Sequence, residues 1–254
     1  MRISDAPIAF FDSGIGGLTV LAECVKRIKT GNFYYFGDNG NAPYGNLSVK
    51  RIEELVFAAF ERFEKEGVKA AVLACNTATA VCAEKLRQKY TFPIVGAEPA
   101  VFLAAKEGGE VYVLSTRATF ESERFCALIH RAGEKYPQAN IRPFACEALA
   151  GAIENASELE SFSVSSFLPN GTPQSVVLGC THYIYVKEQI QTFYGCKTVD
   201  GNEGIAKRLA SFLELPTTPA HLYPEEAKKP QITFLGNSAK QNEQRFKQMF
   251  GLKA

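Results

Sequence analysis

The fold is decided by the stretch AAVLACNT (residues 70–77), in which an apolar run ends in a polar turn that begins with Cys75. The stretch VVLGCTH (residues 176–182) repeats this order and places Cys180 directly after its own apolar run. Each run is typical of a buried strand. In open parallel sheets, ligands bind beyond the carboxyl ends of the strands. The two stretches therefore predict two thiols at ligand-binding edges, where a facing pair can move a proton from one face of a carbon to the other.

Strand-like apolar runs alternate with helix-like runs along the chain. The clearest helix covers residues 48–66, where apolar side chains recur at spacings of three and four, with Ser48 as N-cap and Gly67 as the stop. Strands are predicted at residues 8–11, 33–36, 70–74, 94–95, 111–114, 175–178, 197–199 and 232–235. Helices are predicted at residues 18–28, 48–66, 78–88, 99–105, 120–130, 186–192, 201–213 and 238–250. This alternation predicts an α/β fold of two doubly wound domains with mostly parallel sheets, related by approximate symmetry and each carrying one cysteine turn.

Composition narrows the class of protein. The 254 residues are 46% hydrophobic and 22% charged, with a net charge of +1, so neither nucleic acid nor an anionic membrane is an expected partner. No apolar run is long enough to span a bilayer, and residues 1–5 do not begin a signal peptide. The seven cysteines are an odd number without a disulfide pattern, which favours reduced thiols and a cytoplasmic protein.

Two further polar turns follow predicted strands, and all four turns are expected to converge on one cleft. In the turn after the first strand, Asp12 either caps the next helix or holds an ammonium group of a ligand. Ser13 lies beside it. The turn at Tyr44 and Gly45 is either a plain surface turn or a place where two backbone N–H groups bind a carboxylate.

The turns that contain Cys75 and Cys180 hold the candidate reactive groups. A thiol at the start of a helix has its pKa lowered by the helix dipole, and neighbouring donors can fix a substrate carboxylate. His182 can accept the thiol proton or stabilise the thiolate. A zinc site would need about four closely spaced ligands, so no metal is expected. A Cys–His hydrolase would use only one of the two cysteines, and a redox dithiol would show the spacing C-x-x-C, so neither function is favoured. The donors beside the two thiols are Asn76, Thr77 and Thr181.

Together, the motifs FDSGIGG (11–17), PYG (43–45), ACNTA (74–78) and GCTHY (179–183) resemble the signature turns of glutamate racemases, within the aspartate/glutamate racemase family. The resemblance implies a cofactor-independent enzyme that makes D-glutamate for peptidoglycan, with glutamate as its ligand and a homodimer as its assembly. It also implies two α/β domains, residues 1–94 with about 207–254, and residues 95–206, with the active site between them.

By the same resemblance, Cys75 and Cys180 are the catalytic cysteines, acting on D- and L-glutamate respectively. Asp12 and His182 would tune the two thiols. The resemblance assigns Thr116 in the stretch STRAT (115–119) to the substrate site. The other implied substrate-binding residues are Asp12, Ser13, Tyr44, Gly45, Asn76, Thr77, Thr181 and His182.

Four positions depart from the family pattern, one of which is Glu147, which stands where proline is common. Asn41 replaces a basic residue, the stretch around Ala97 is one residue shorter, and Ile184 replaces a proline. A racemase of aspartate or another amino acid therefore stays an alternative. A second alternative is a module that binds an anionic amino acid without catalysis, which needs the polar turns but no reactive thiols.

Overall fold

The computed structural model of the chain describes residues 6–28, 31–146, 148–156, 159, 162–215 and 230–251. Residues 1–5, where the sequence predicts no signal peptide, and Glu147 lie outside these ranges. The described strands are β1 Ile8–Asp12, β2 Asn32–Gly37, β3 Ala70–Leu73, β4 Ile94–Gly96, β5 Gly109–Ser115, β6 Ala139–Ala145, β7 Ser175–Leu178, β8 Lys197–Val199 and β9 Gln231–Leu235. The described α-helices are α1 Gly17–Arg27, α2 Val49–Lys65, α3 Asn76–Lys89, α4 Val101–Ala105, α5 Arg117–Phe120, α6 Glu123–Lys135, α7 Leu149–Asn155, α8 Lys187–Tyr194, α9 Asn202–Phe212 and α10 Ala239–Phe250.

The strands form two separate sheets, and every strand pairing in them is parallel. The first sheet has the order β4-β3-β1-β2-β9, and the second has the order β6-β5-β7-β8. Helices flank both sheets, so the predicted α/β class is confirmed. In each sheet the chain crosses from one side of the sheet's first strand to the other, between β1 and β3 in the first sheet and between β5 and β7 in the second. Ligand sites of doubly wound folds lie at such strand-order reversals.

The continuous apolar strands arise because both faces of each sheet are covered. In β1, Ile8 and Phe10 join one core cluster while Ala9 and Phe11 join the cluster on the opposite face. All four side chains are fully buried. A strand buried on both faces gains no stability from alternating polar residues, which explains the unbroken apolar pattern.

Each predicted strand and helix occurs, with ends shifted by a few residues. Ser48 caps α2 by accepting a hydrogen bond from Arg51 N at 3.3 Å, and Gly67 follows the helix with a left-handed φ of 65°. The sequence analysis missed β6, α7 and the short α5. Strand β6 is an edge strand with Pro143 in it, and its mixed burial hides the strand pattern.

The chain enters the second sheet after β4 and returns to the first sheet's core through α9. That helix follows β8, yet its Ile205 and Leu209 pack with α1 in the core of the first sheet. The division into residues 1–94 with about 207–254, and residues 95–206, stays a prediction. Residues 216–229 and 252–254 of that division lie outside the described ranges.

Candidate active site

Both cysteine turns lie at the strand-order reversals of their sheets. Cys75 follows β3 and is the N-cap residue of α3, and Cys180 follows β7 and precedes a 3₁₀ segment, Thr181–Val186. The two residues are only 5% and 6% exposed. Burial and Asp12 make the larger contributions to the raised pKa of Cys75, and Cys180 adds a smaller electrostatic one, so the two sulfurs lie within electrostatic range of each other.

Cys75 is held as a neutral thiol. Its sulfur lies 3.4 Å from Ser13 Oγ and accepts a hydrogen bond from Ala78 N at 3.4 Å. Burial, reinforced by the charge of Asp12, raises the pKa of the Cys75 thiol to about 12. The expected lowering by the helix start is therefore wrong for Cys75, because desolvation outweighs the N–H donor.

Cys180 has a different environment. Its sulfur lies 3.7 Å from His182 Nδ1, and His182 Nε2 lies 2.5 Å from Glu154 Oε2. Burial lowers the pKa of His182, but the hydrogen bonds to Cys180 and Glu154 outweigh burial and raise that pKa well above its ordinary value. The direction of this shift favours the imidazolium form of His182, and an imidazolium stabilises a neighbouring thiolate.

Glu154 is a site residue that the sequence analysis missed. It lies on α7, and its side chain is 9% exposed. Glu154 Oε2 accepts a hydrogen bond from Ile15 N at 3.1 Å, and Oε1 accepts one from Asn39 Nδ2 at 3.0 Å. The available sequence signal was a single carboxylate at the end of the small-residue run LAGAI (149–153).

Asp12 lies at the end of β1 and is fully buried. Its Oδ1 accepts from Gly14 N at 2.8 Å, and its Oδ2 accepts from Thr181 Oγ1 at 3.2 Å. Burial raises the pKa of Asp12 to about 6, although His182 and the Gly14 N–H oppose this shift. The N-cap position of α1 is Gly16, and the Asp12 carboxylate accepts a hydrogen bond from the backbone N–H of Gly17, the first residue of that helix. Helix capping and ligand binding therefore both stay open for Asp12.

The Tyr44 turn is anchored from within the first sheet. Tyr44 is buried, and its hydroxyl donates to Asp38 Oδ2 at 2.7 Å. Asn41 Nδ2 donates to both Asp38 oxygens, at 3.0 and 3.1 Å, so this departure from the family pattern replaces a charge with a neutral donor. A plain surface turn is wrong for Tyr44, because the aromatic ring lies in the core cluster.

Three threonine hydroxyls join the two halves on the Cys75 side. Thr77 Oγ1 lies 2.9 Å from Thr116 Oγ1 and 3.3 Å from Thr119 Oγ1. Gly45 also abuts this group, because a Cβ on it would lie 2.9 Å from Thr116 Cβ. Thr119 is a second residue that the sequence analysis missed, although it lies in the same stretch as Thr116.

The structure thus brings the predicted residues to two facing sheet edges. Ser13 with Cys75, Asp12 with Thr181, and Thr77 with Thr116 are in direct contact. Asn76 differs, because its buried Oδ1 has no hydrogen-bond partner among the described residues. That acceptor is free to meet a donor on a ligand. The catalytic and binding roles of all these residues stay predictions.

Two general properties complete the site's description. All seven cysteines are free thiols. Among the described residues, no group of three or more His, Cys, Asp or Glu side chains is placed to hold a metal ion. Over the same residues, no helix has the length and apolarity required to cross a membrane.

Two parallel sheets flanked by helices, each followed at its strand-order reversal by a buried free thiol, define a class of two-sheet α/β proteins. The Asp/Glu/Hydantoin racemase family model matches residues 45–209, which include both cysteines. The chain belongs to this family. A glutamate racemase of Clostridium perfringens is 41% identical over 224 residues, 84% of this chain and 85% of the relative. A glutamate racemase of Clostridium botulinum is 36% identical over 249 residues, 94% of each chain.

Solved structures of glutamate racemases are also similar to this chain. The glutamate racemase isoform RacE1 of Bacillus anthracis superposes with a TM-score of 0.79 and 26% identity, over 98% of this chain and 96% of that one. Escherichia coli glutamate racemase, solved with L-glutamate and the activator UDP-MurNAc-Ala, has a TM-score of 0.72 and 30% identity, over 95% of each chain. The recognition of the family from sequence motifs is confirmed.

Proposed function

We propose that this protein interconverts L- and D-glutamate by a cofactor-independent, two-thiol proton transfer at Cα. One observation carries the proposal: Cys75 and Cys180 are buried at corresponding strand-order reversals of two facing sheets. Burial favours the thiol form of Cys75, the proposed acid, whereas His182 lies beside Cys180, the proposed base. Relatives named glutamate racemase, and the L-glutamate in the Escherichia coli structure, support glutamate as the substrate.

In the L-to-D direction, the Cys180 thiolate removes the α-proton and becomes a thiol. The Cys75 thiol then delivers its own proton to the opposite face of the carbanion and becomes a thiolate. His182 supports the Cys180 thiolate as an imidazolium, and the raised pKa of Cys75 keeps that thiol protonated at the start. The D-to-L direction uses the same steps with the two sulfurs exchanged.

The carbanion needs fixed donors in a dry site, because the α-proton of an amino acid is very weakly acidic. We propose that Asp12 holds the substrate ammonium group and that the backbone at Tyr44 and Gly45 holds a carboxylate. Further donors and acceptors to the substrate come from Ser13, Asn76, Thr77, Thr116, Thr181 and His182. Most of these residues are buried, which supports a site that excludes water.

We further propose that the D-glutamate serves peptidoglycan synthesis, that the enzyme works in the cytoplasm, and that it is a homodimer. The seven free cysteines support a reducing compartment. Sedimentation at several protein concentrations tests the assembly.

The reaction is tested by incubating the protein with L- or D-glutamate separately in D₂O. Loss of the α-proton NMR signal together with loss of optical rotation is the expected result for both enantiomers. The same experiment with L- and D-aspartate separates glutamate from aspartate specificity. Binding of glutamate without exchange, and with thiols that alkylating agents leave unmodified, would identify a binding module instead.

A further inference from the structure

We propose that Asn39 is a positioning residue that acts through Glu154 and His182 on the Cys180 thiol, and that it acts only when the two halves of the molecule are closed. This inference rests on the proposed racemase function. It concerns a side chain that lies outside the predicted site and touches neither sulfur nor, by its position, the reacting carbon.

A continuous row of hydrogen bonds carries the inference. Asn242 Nδ2 donates to Asn39 Oδ1 at 3.0 Å, and Asn39 Nδ2 donates to Glu154 Oε1 at 3.0 Å. Glu154 Oε2 lies 2.5 Å from His182 Nε2, and His182 Nδ1 lies 3.7 Å from Cys180 Sγ. The row therefore runs from the buried side chain of Asn242 on α10 to the sulfur that the proposed reaction uses as a base.

The chemistry of the groups fixes the direction of each bond. An ionised carboxylate only accepts hydrogen bonds, so the amide nitrogen of Asn39 must face Glu154 and its oxygen must face away. Asn242 supplies the donor for that oxygen and is fully buried in α10. Gly37 permits the approach of Asn242, since a Cβ on this glycine would lie 2.6 Å from Asn242 Nδ2. Asn39 is thus held in the orientation that stabilises a charged Glu154.

The row crosses the cleft between the sheets. Asn39 follows β2 and Asn242 follows β9, both strands of the first sheet, whereas Glu154 and His182 lie with the second sheet. The other donor to Glu154 is Ile15 N, which also lies with the first sheet. Separation of the halves withdraws both donors from Glu154 at once. Closure of the two halves therefore brings both donors to Glu154, which holds His182 beside Cys180, and it also excludes water from the site.

Other ionisable groups face the same pair and must be counted. Asp12 is the second carboxyl group within electrostatic range of His182 and Glu154, and Cys146 lies within range of Cys180. Among the described residues, neither Asp12 nor Cys146 forms a hydrogen bond with Asn39. Tyr183 is an ionisable group within electrostatic range of both Cys180 and Cys146. Further ionisable groups around them are Cys75, Tyr35, Tyr44, Tyr185 and, behind Tyr185, Arg245.

The test is the pH dependence of iodoacetamide alkylation at Cys180, read by mass spectrometry of its peptide. Asn39→Leu removes the donor that fixes the position of Glu154. Glu154 then turns away from His182 Nε2, so the imidazolium loses its carboxylate partner and the thiolate on Cys180 loses the imidazolium. The pH midpoint for Cys180 alkylation should rise by about one unit, and the racemisation rate at pH 7 should fall about tenfold, as for a lost hydrogen bond to a charged group. The Cys75 peptide in the same sample should keep its midpoint.

Asn155→Leu is the matched control, because Asn155 is the next residue on α7, is exposed, and donates only to Gly151 O. Asn39→Ala provides a second, smaller replacement whose folding is checked by circular dichroism. A folded Asn39 variant with an unchanged Cys180 midpoint overturns the inference. If the wild-type protein racemises no glutamate, the proposed function fails, but the alkylation profiles still decide whether Asn39 controls Cys180.

Discussion

Glu154 Oε2 lies 2.5 Å from His182 Nε2, and this contact joins a carboxylate that is 9% exposed to an imidazole that is 3% exposed. A buried pair of this kind holds its charges only because each partner has further hydrogen bonds. Glu154 receives them from Ile15 N and Asn39 Nδ2, and His182 directs its other nitrogen toward Cys180. The asymmetry between the two thiols follows from this contact, because Cys75 has no histidine beside it among the described residues.

Glu154→Gln should lower the racemisation rate at pH 7 by about 100-fold, within the range for a lost acid–base partner. The substitution removes the charge that raises the pKa of His182, so the imidazolium and the Cys180 thiolate that it supports are lost together. Thiolate then forms only at higher pH, and the acid limb of the kcat profile should move upward. Stopped-assay kcat values between pH 5.5 and 9.5 measure this shift.

A suitable control for that variant is Glu134→Gln. It removes the same charge from an exposed pair, in which His130 Nδ1 lies 3.4 Å from Glu134 Oε2. This variant should keep the wild-type profile. An unmoved acid limb in Glu154→Gln would show that Glu154 is not coupled to the thiol.

Asp12→Asn should stabilise the fold while it weakens the reaction. The folded-state pKa of about 6 lies above the ordinary value of 3.8, so the carboxylate costs stability as pH rises from about 4 to about 6. At pH 7 the full cost is about 3 kcal/mol at most, and Asn avoids it. The thermal midpoint of the variant at pH 7.5 should exceed that of the wild type by about 3–6 °C.

The pH dependence of the stability gain in Asp12→Asn provides an internal control. At pH 4 both proteins carry a neutral side chain at position 12, so their thermal midpoints should converge. The apparent KM for glutamate should rise about 10- to 100-fold if the carboxylate holds the ammonium group. A variant that is less stable than the wild type at pH 7.5 would contradict the account of burial given for Asp12.

Gly16→Ala should block the meeting of the two halves. A Cβ at Gly16 would lie 2.4 Å from Thr181 Oγ1 and 2.9 Å from His182 N, so the Thr181–His182 turn must shift. A displacement of about 1 Å at a reacting group costs about 100-fold in rate. Steady-state kcat and KM measure the loss, with the far-ultraviolet circular dichroism spectrum expected to stay unchanged.

Gly133→Ala tests the same chemical change in open space. Gly133 lies in α6, and a Cβ there would meet nothing within 4 Å. That variant should retain wild-type kinetics and gain about 0.5–1 kcal/mol from better helix propensity. Wild-type kinetics in Gly16→Ala would mean that the contact with Thr181 is not needed.

Cys75→Ala and Cys180→Ala should each reduce racemisation by at least about 1,000-fold, because either change removes one of two required proton carriers. Polarimetry with both enantiomers of glutamate measures the loss. Cys126→Ala is the control, since Cys126 is an exposed free thiol. Full activity in either buried-cysteine variant is the outcome that a two-thiol reaction does not allow.

The sequence predicted the sheets and both cysteine turns because continuous apolar strands and polar turns leave local patterns. It missed Glu154 and Asn39, since their importance depends on contacts between positions 115 residues apart in the chain. It also gave the wrong sign for the pKa of Cys75. The helix start is visible in the sequence, whereas the burial that outweighs it depends on residues distant in the chain, such as Ser13.

The near-complete burial of the two sulfurs has a consequence for successive turnovers. In the proposed two-thiol reaction, each L-to-D event leaves the proton on Cys180 and takes one from Cys75, so the enzyme that releases D-glutamate would be in the form prepared to receive D-glutamate. With exposures of only 5% and 6%, the thiols exchange protons with water slowly until the cleft opens. If the proposed reaction holds, the free enzyme stays in the protonation form that its last product left until the two thiols exchange protons with water. The time that this exchange takes then sets an upper limit on net flux in one direction.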